Sequence, residues 1–129
     1  MQVICSSNTG VGLPASLLMA GYTPQSRFDL SIGRNYEVYG VSIWKCNVLY
    51  LLSDDTMCPN WYPAKVFEVA DPQLPTDWFL RVFADGDVST LFGYEELVMD
   101  DSHFDDLSNR TPKAIQVFHE RTEKRNRGM

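Results

Sequence analysis

The 129-residue chain lacks any long hydrophobic segment. Its longest uninterrupted apolar run is VLYLL at residues 48–52, far short of the roughly 20 residues that a transmembrane helix needs. The N-terminal sequence, residues 1–14, has no basic stretch followed by an apolar segment, so it does not resemble a secretory signal peptide. We therefore expect a cytoplasmic protein that does not associate with membranes.

Cysteine and histidine are scarce. The three cysteines form no CxxC pair, and the two histidines lie far from them in sequence. An odd number of cysteines without a secretion signal is typical of reduced thiols that act mainly as small core residues. A zinc site would need more ligands at closer spacing, and no local signature pairs a cysteine with a histidine for nucleophilic catalysis. We predict no catalytic residue of this kind, no metal and no other cofactor. The cysteines and histidines of the chain are Cys5, Cys46, Cys58, His103 and His119.

Basic residues are few in most of the chain. Residues 1–109 contain 5 Lys and Arg against 15 Asp and Glu, a balance of −10, whereas residues 110–129 contain 6 against 2, a balance of +4. Nucleic-acid binding is driven by basic surface and counterion release, so this distribution disfavours nucleic acid as the main partner. An acidic body fits a basic protein partner, although acidity also serves solubility alone.

The centre of the chain has the pattern of short β-strands joined by tight turns. Residues 35–46 and 48–55 form a predicted hairpin about the turn KCN, with Gly40 as a bulge or a point of close approach. Residues 64–71 are a third strand, which Pro72 and Pro75 end. Beyond Trp78, the sequence predicts a fourth strand, a turn at ADGD and a short fifth strand at residues 89–91.

The C-terminal part has helical patterns. Residues 94–101 predict a short helix, and a second begins with Asp101 or Ser102 as N-cap. The clearest helix follows Thr111 as N-cap and Pro112 at its first position, with one face formed by Ile115, Phe118 and Thr122.

These elements predict a single domain of residues 1–129 that is mainly β (α+β). Its β core would span about residues 30–92 and its helical part about residues 93–126. The fold would be a small antiparallel sheet or an SH3-like barrel with C-terminal helices. The alternative is an open α+β sheet with the last helix packed across one face.

Carboxylates occur in five clusters. Their spacing matches neither a calcium loop nor the facing pair of a glycosidase, so solvated loops are the simplest interpretation. A pocket in which two clusters converged would favour a hydrolase instead. The clusters are Asp54–Asp55, Asp85/Asp87, Glu95–Glu96, Asp100–Asp101 and Asp105–Asp106.

Large aromatic rings are numerous for so small a β domain. Such rings commonly fill the core. Trp61 and Tyr62, however, lie in a stretch bounded by Pro59 and Pro63 that reads as a loop, where exposed rings beside carboxylates would dock a basic or proline-rich segment. The predicted binding residues are Trp61, Tyr62, Trp78, Asp54 and Asp55.

Four short motifs carry a resemblance to known proteins. With them the chain resembles, over about residues 5–120, a family of small uncharacterised bacterial proteins, some of which are similar to the immunity proteins of toxin–immunity systems. The resemblance implies a non-enzymatic protein of mostly β-structure. The motifs are a Gly-x-x-Tyr-x-Val-Tyr-Gly strand entry (residues 33–40), WYPA (61–64), FEV (67–69) and GYEEL (93–97).

The first function hypothesis is thus a non-enzymatic protein-binding domain of the immunity-inhibitor type, which binds a basic protein with Trp61 and Tyr62 as anchors. One alternative is a small metal-dependent or acid/base hydrolase that uses the clustered carboxylates. The other is nucleic-acid binding through the basic tail at residues 121–127 and stacked rings. The sequence makes no prediction of the oligomeric state.

Overall fold

Eight strands form two antiparallel sheets, and three helices follow them at the C-terminal end. The structure is a computed structural model that describes residues 1–127, and side chains are described through residue 123. The mainly β fold with C-terminal helices is confirmed, in its small-sheet form rather than as a closed barrel. The strands are β1 (Gln2–Cys5), β2 (Asn35–Glu37), β3 (Gly40–Trp44), β4 (Asn47–Ser53), β5 (Pro59–Pro63), β6 (Phe67–Asp71), β7 (Phe79–Val82) and β8 (Val88–Gly93). The helices are α1 (Ala15–Met19), α2 (Glu95–Met99), α3 (Asp101–Ser108) and α4 (Pro112–Arg127).

The larger sheet has the order β5-β4-β3-β8-β7 and contains both predicted hairpins. The β3–β4 hairpin turns at Lys45 and Cys46, whose φ angles of 47° and 66° are those of a two-residue type I′ turn. The β7–β8 hairpin turns through the predicted ADGD segment, with Gly86 at φ 99°. Local turn chemistry thus fixes the register of this sheet on both sides of its centre.

The smaller sheet has the order β2-β1-β6 and differs from the prediction. β1 is its central strand, so β-structure begins at Gln2 rather than near residue 30. The predicted third strand begins later than expected, since Ala64–Val66 is a single 3-10 turn and β6 then pairs with β1 instead of the hairpin. Such pairing joins residues more than 60 positions apart, which local patterns cannot reveal.

The larger sheet is covered on both faces around its centre. The smaller sheet and the segment with α1 cover one face, where Tyr50, Leu52 and Tyr62 belong to one buried cluster. Helices α2 to α4 cover the other, where Leu51 packs with Phe118 in a second cluster. This explains the run VLYLL, because a strand buried on both faces has no need of polar alternation.

Gly40 is a point of close approach, as predicted. A Cβ atom there would lie 2.5 Å from Leu97 Cδ2 of α2. Gly93 stands opposite Gly40 in the β3–β8 pair, and its own Cβ would lie 2.7 Å from the same Leu97 atom. The two glycines together let α2 lie directly on the sheet.

The C-terminal helices begin close to where the sequence predicts. Asp100 is the N-cap of α3, one residue before the predicted range, because its Oδ1 accepts from the Ser102 and His103 amides at 3.0 and 3.2 Å. In α4, Phe118 and Thr122 are buried, whereas Ile115 is only half-buried. Within the described part of the chain, none of the helices has the length and apolar character to cross a bilayer.

Candidate functional site

Trp61 and Tyr62 lie on a strand, so the predicted loop is wrong. Both belong to β5, where they pair with Leu51 and Tyr50 of β4. Successive strand residues point to opposite faces. Tyr62 is therefore buried among the cluster beneath the smaller sheet, with 6% of its surface exposed, while Trp61 packs half-buried on the helical side. Tyr62 is not available as a surface anchor, and only Trp61 remains a candidate.

Asp54 is a buried structural carboxylate rather than part of a solvated loop. It is 1% exposed, and Oδ1 accepts from the Thr56 amide at 2.9 Å and from the Thr56 hydroxyl. Oδ2 accepts from Asn60 Nδ2 at 2.7 Å and from the Tyr62 hydroxyl at 2.6 Å. These bonds close the turn between β4 and β5, and they leave the carboxylate no surface for a partner.

Asp55 also holds the fold together. Its Oδ1 accepts from the Tyr36 hydroxyl at 2.6 Å and pairs with Arg34 at 2.8 Å, and its Oδ2 accepts from the Ser31 hydroxyl at 2.6 Å. Its amide donates to the Asp29 carbonyl at 2.9 Å. The adjacent aspartates thus fasten the β4–β5 turn to two different parts of the chain.

The hydrogen bonds around these two carboxylates shift their pKa values in one direction. Burial alone would raise the pKa of Asp54, but hydrogen bonds from Thr56, Tyr62 and Asn60 together outweigh it and hold the pKa below its ordinary value. Hydrogen bonds from Ser31 and Tyr36, assisted by the Arg34 charge, lower the pKa of Asp55. Both ionised carboxylates therefore stabilise the folded state.

We expect this stabilisation to disappear in acid. A carboxyl group with a lowered folded pKa contributes stability above its unfolded pKa of about 3.9, and the contribution is lost as pH falls through the folded pKa. The difference in unfolding free energy between the native chain and Asp54→Asn should therefore shrink below about pH 4. Urea unfolding of both proteins from pH 7 to pH 3 measures it. A difference that stays constant over that range would contradict the assignment.

Trp78 lies apart from Trp61. It is half-buried and packs against the cluster beneath the smaller sheet, and its amide donates to the Pro75 carbonyl at 3.5 Å. Trp61 packs against the helical cluster instead. The five predicted binding residues therefore do not form one surface.

An aromatic cleft lies beside Trp61, where rings that pack against the helical cluster meet rings that pack against the cluster beneath the smaller sheet. Its volume is about 260 Å³, and the Trp61 and Phe104 ring centroids are 6.0 Å apart. The Trp61 Nε1 atom is buried and has no hydrogen-bond partner among the described residues. The cleft therefore presents mainly apolar ring surface. Its lining is Tyr22, Ser42, Trp44, Leu49, Trp61, Val88, Phe104 and Ser108.

An acidic groove of about 450 Å³ adjoins this cleft, because Val88 and Phe104 line both. Four aspartates and one arginine line it: Asp85, Asp87, Asp101, Asp105 and Arg81. Arg81 pairs with Asp101 at 2.6 Å and stands 4.6 Å from the centroid of Phe83. The other three aspartates have no ion pair within the described residues. Three of the predicted carboxylate clusters thus converge here, the Asp85/Asp87 pair completely and the other two through one residue each.

We call the aromatic and acidic parts together the composite cleft. The sequence pointed to Trp61 and to the aspartate clusters, but it missed Trp44 as a cleft residue and missed Tyr22 and Phe104 altogether. These rings come from β3, from the segment after α1 and from α3. A single half-buried ring in a mostly polar helix such as α3 has no local signal that marks it as part of a site.

The histidines do not provide a reactive group in the composite cleft. His103 is buried, and its Nε2 is 2.7 Å from the Tyr94 hydroxyl. Burial lowers the pKa of His103, so the neutral ring accepts the hydroxyl proton in a structural hydrogen bond. Among residues whose side chains are described, no three His, Cys, Asp or Glu gather in an arrangement that could hold a metal ion.

Comparisons with known proteins do not assign the chain to a family. Nothing among protein-family models, curated proteins or solved structures matches it. The resemblance to immunity proteins therefore stays a prediction, and function has to be inferred from the composite cleft itself.

Proposed function

We propose that this protein is a non-enzymatic, cytoplasmic protein-binding domain whose composite cleft takes a short segment of a basic protein partner. The adjacency of the aromatic cleft and the acidic groove carries the proposal, because it sets apolar and negative surface side by side. A segment that pairs a bulky apolar residue with a neighbouring Lys or Arg matches both parts.

The aromatic part supplies most of the binding energy in this proposal. Buried aromatic contacts commonly dominate interface energetics. Ring faces also attract cations, as Lys45 Nζ already shows at 5.0 Å from the Trp44 ring.

The acidic part supplies orientation and speed of association. Asp85, Asp87 and Asp105 are exposed, so each keeps most of its hydration until a cation arrives. Complementary charge at such positions mainly raises the association rate and discriminates against acidic partners. The specific role that we propose is that of an immunity-type inhibitor, for which fast capture of a basic partner is an advantage.

The hydrolase and nucleic-acid hypotheses have less support. The converging aspartates line an open groove in which Arg81 neutralises one of them, and no histidine joins them among the described residues. The groove's negative charge opposes phosphate binding. The basic tail of the nucleic-acid hypothesis begins at Arg121, which pairs with Glu96 at 2.6 Å, and its side chains from Lys124 onward lie outside the described residues.

Trp61→Ala is expected to weaken partner binding by about 30-fold or more, the loss typical of an interface hot spot. The partner is first captured from a host lysate on the immobilised native chain, identified and purified. Calorimetry with the purified partner then gives the dissociation constants.

Trp78→Ala is the matched control, because Trp78 is also a half-buried indole but lies outside the composite cleft. Its affinity should match that of the native chain. The double variant Asp85→Asn with Asp87→Asn should slow association and reduce its salt dependence. Equal losses for Trp61→Ala and Trp78→Ala would contradict a role for the composite cleft.

A further inference from the structure

Strand β7 forms an unprotected edge of the larger sheet. Leu80 and Val82 are 57% and 70% exposed, although they are large apolar residues. The β7–β8 pairing runs without a bulge, and the strand contains neither proline nor lysine. Edge strands are usually blunted by such devices because a bare edge recruits further strands.

The opposite edge shows the contrast. Strand β5 begins at Pro59 and ends at Pro63, and most of its surface is buried. Proline has no amide proton, so it limits strand addition at β5. Addition of a further strand is therefore hindered at the β5 edge and sterically open at the β7 edge.

The backbone N–H and C=O groups of β7 that are free to pair with an added strand belong to the two exposed apolar residues. The Phe83 amide donates inward to the Ser89 carbonyl at 2.9 Å, and Arg81 stands opposite Leu91. Because hydrogen-bonding direction alternates along an antiparallel strand, the N–H and C=O groups of Leu80 and Val82 point away from β8. Each of these residues offers both a donor and an acceptor to an added strand.

Apolar surface continues inward from this edge. Registered pairing places Val48, Ile43, Thr90 and Val82 in one row across four strands, and Tyr50, Val41, Phe92 and Leu80 in the next. The smaller sheet buries Tyr50, while Val48 at the far end of its row is 40% exposed. The uncovered part of this face is contiguous with the side chains of β7.

We propose that β7 is a docking edge for an extended, basic segment of a protein partner, which joins the larger sheet as a sixth strand. Main-chain hydrogen bonds to Leu80 and Val82 give affinity, and alternate apolar side chains lie over the uncovered face. Acidic residues at the β7–β8 turn, Asp85 and Asp87, favour Lys or Arg at one end of the segment. Asp85 and Asp87 also line the acidic groove of the composite cleft, but Leu80 and Val82 of the β7 edge lie outside it, so the inference goes beyond the proposed function.

Charge distinguishes this occupant from a second copy of the chain. If two β7 strands paired antiparallel with Leu80 opposite Val82, Arg81 would stand opposite Arg81. Asp77 would stand opposite Asp85 in the same register. Like charges directly opposite each other destabilise a strand pair. A segment with an uncharged residue opposite Arg81 and a Lys or Arg near Asp85 avoids both repulsions.

A phage-displayed library of random nonapeptides, selected on the native chain, tests the proposal. We expect enrichment of sequences with alternating apolar residues and a terminal Lys or Arg. The best peptide is synthesised in two forms, one unmodified and one N-methylated at the residues whose amides would face β7. N-methylation should weaken binding by about tenfold or more, since it removes hydrogen bonds without changing any side chain.

Leu80→Lys should abolish binding of the unmodified peptide, and Met19→Lys should leave it unchanged. Met19 is 89% exposed on α1, so the control adds the same charge away from β7. Failure to enrich alternating basic peptides, or equal affinity of the two peptide forms, would overturn the proposal. Sedimentation that shows a dimer of the native chain and a monomer of Leu80→Lys would also overturn it, because the occupant would then be a second copy.

Discussion

Replacing Asp54 with alanine is expected to lower the free energy of unfolding by about 3–5 kcal/mol. The carboxylate is buried and accepts four hydrogen bonds, so its removal leaves several donors without an acceptor. The Tyr62 hydroxyl contributes the largest part of this cost, since it donates its hydrogen bond to Asp54 within a buried cluster. A buried donor that loses its partner costs about 1–3 kcal/mol on its own.

Urea unfolding, followed by tryptophan fluorescence, measures this loss. The slope of the unfolding free energy against urea concentration should stay unchanged. This would show that the variant changes stability and not the surface exposed on unfolding. Asp87→Ala is the matched control, because Asp87 is exposed and has no side-chain ion pair among the described residues. Its effect should lie within about 0.5 kcal/mol. A loss below about 1 kcal/mol for Asp54→Ala would mean that water replaces the carboxylate at the turn.

The sequence could predict the elements that local chemistry determines. Lys45 and Cys46 sit between two alternating strands, and Gly86 follows an aspartate in a polar turn, so both hairpins were recognisable. Pro112 likewise marks the start of α4, although the Thr111 hydroxyl, predicted as its N-cap, makes no hydrogen bond among the described residues. Each of these signals lies within a few residues of the feature that it specifies.

The prolines around Trp61 show why the candidate site was less predictable. Pro59 and Pro63 suggested a loop, yet an edge strand tolerates proline at its ends because its outward side needs no donor. Had β5 been recognised, the alternation rule would have separated Trp61 from Tyr62 at once. The predicted loop is thus wrong because proline is compatible with the ends of an edge strand as well as with a loop.

Asp54 and Asp55 show the limit of composition. The two are adjacent and chemically identical, yet one is buried beneath β5 and the other reaches Arg34 and Tyr36. Their partners come from segments up to 24 residues away, so only the tertiary structure distinguishes them. The composite cleft is non-local in the same way, because it gathers rings from β3, β5 and α3.

Phe118→Ala is expected to destabilise the protein by about 3–5 kcal/mol, the cost of a large cavity in a well-packed core. Phe118 is 0% exposed and stands edge-on to Tyr39, with ring centroids 5.5 Å apart. It also packs against Tyr94, at 6.3 Å. One side chain on α4 therefore joins the sheet to the start of α2. Phe118→Leu retains most of the volume and should cost about 1–2 kcal/mol.

The regions that Phe118→Ala destabilises are more informative than the total loss of stability. Because the smaller sheet packs on the opposite face, Phe118→Ala should speed amide hydrogen exchange in α2, α3 and α4 more than in β1 and β6. Helix α3 supplies Phe104 and Asp105 to the composite cleft, so the same variant should weaken partner binding even where the chain is fully folded. Hydrogen exchange by mass spectrometry, with Phe118→Leu as control, measures the difference. Uniform acceleration in both layers would show instead that the two buried clusters unfold as one unit. In that case α4 would not stabilise the composite cleft separately from the rest of the fold.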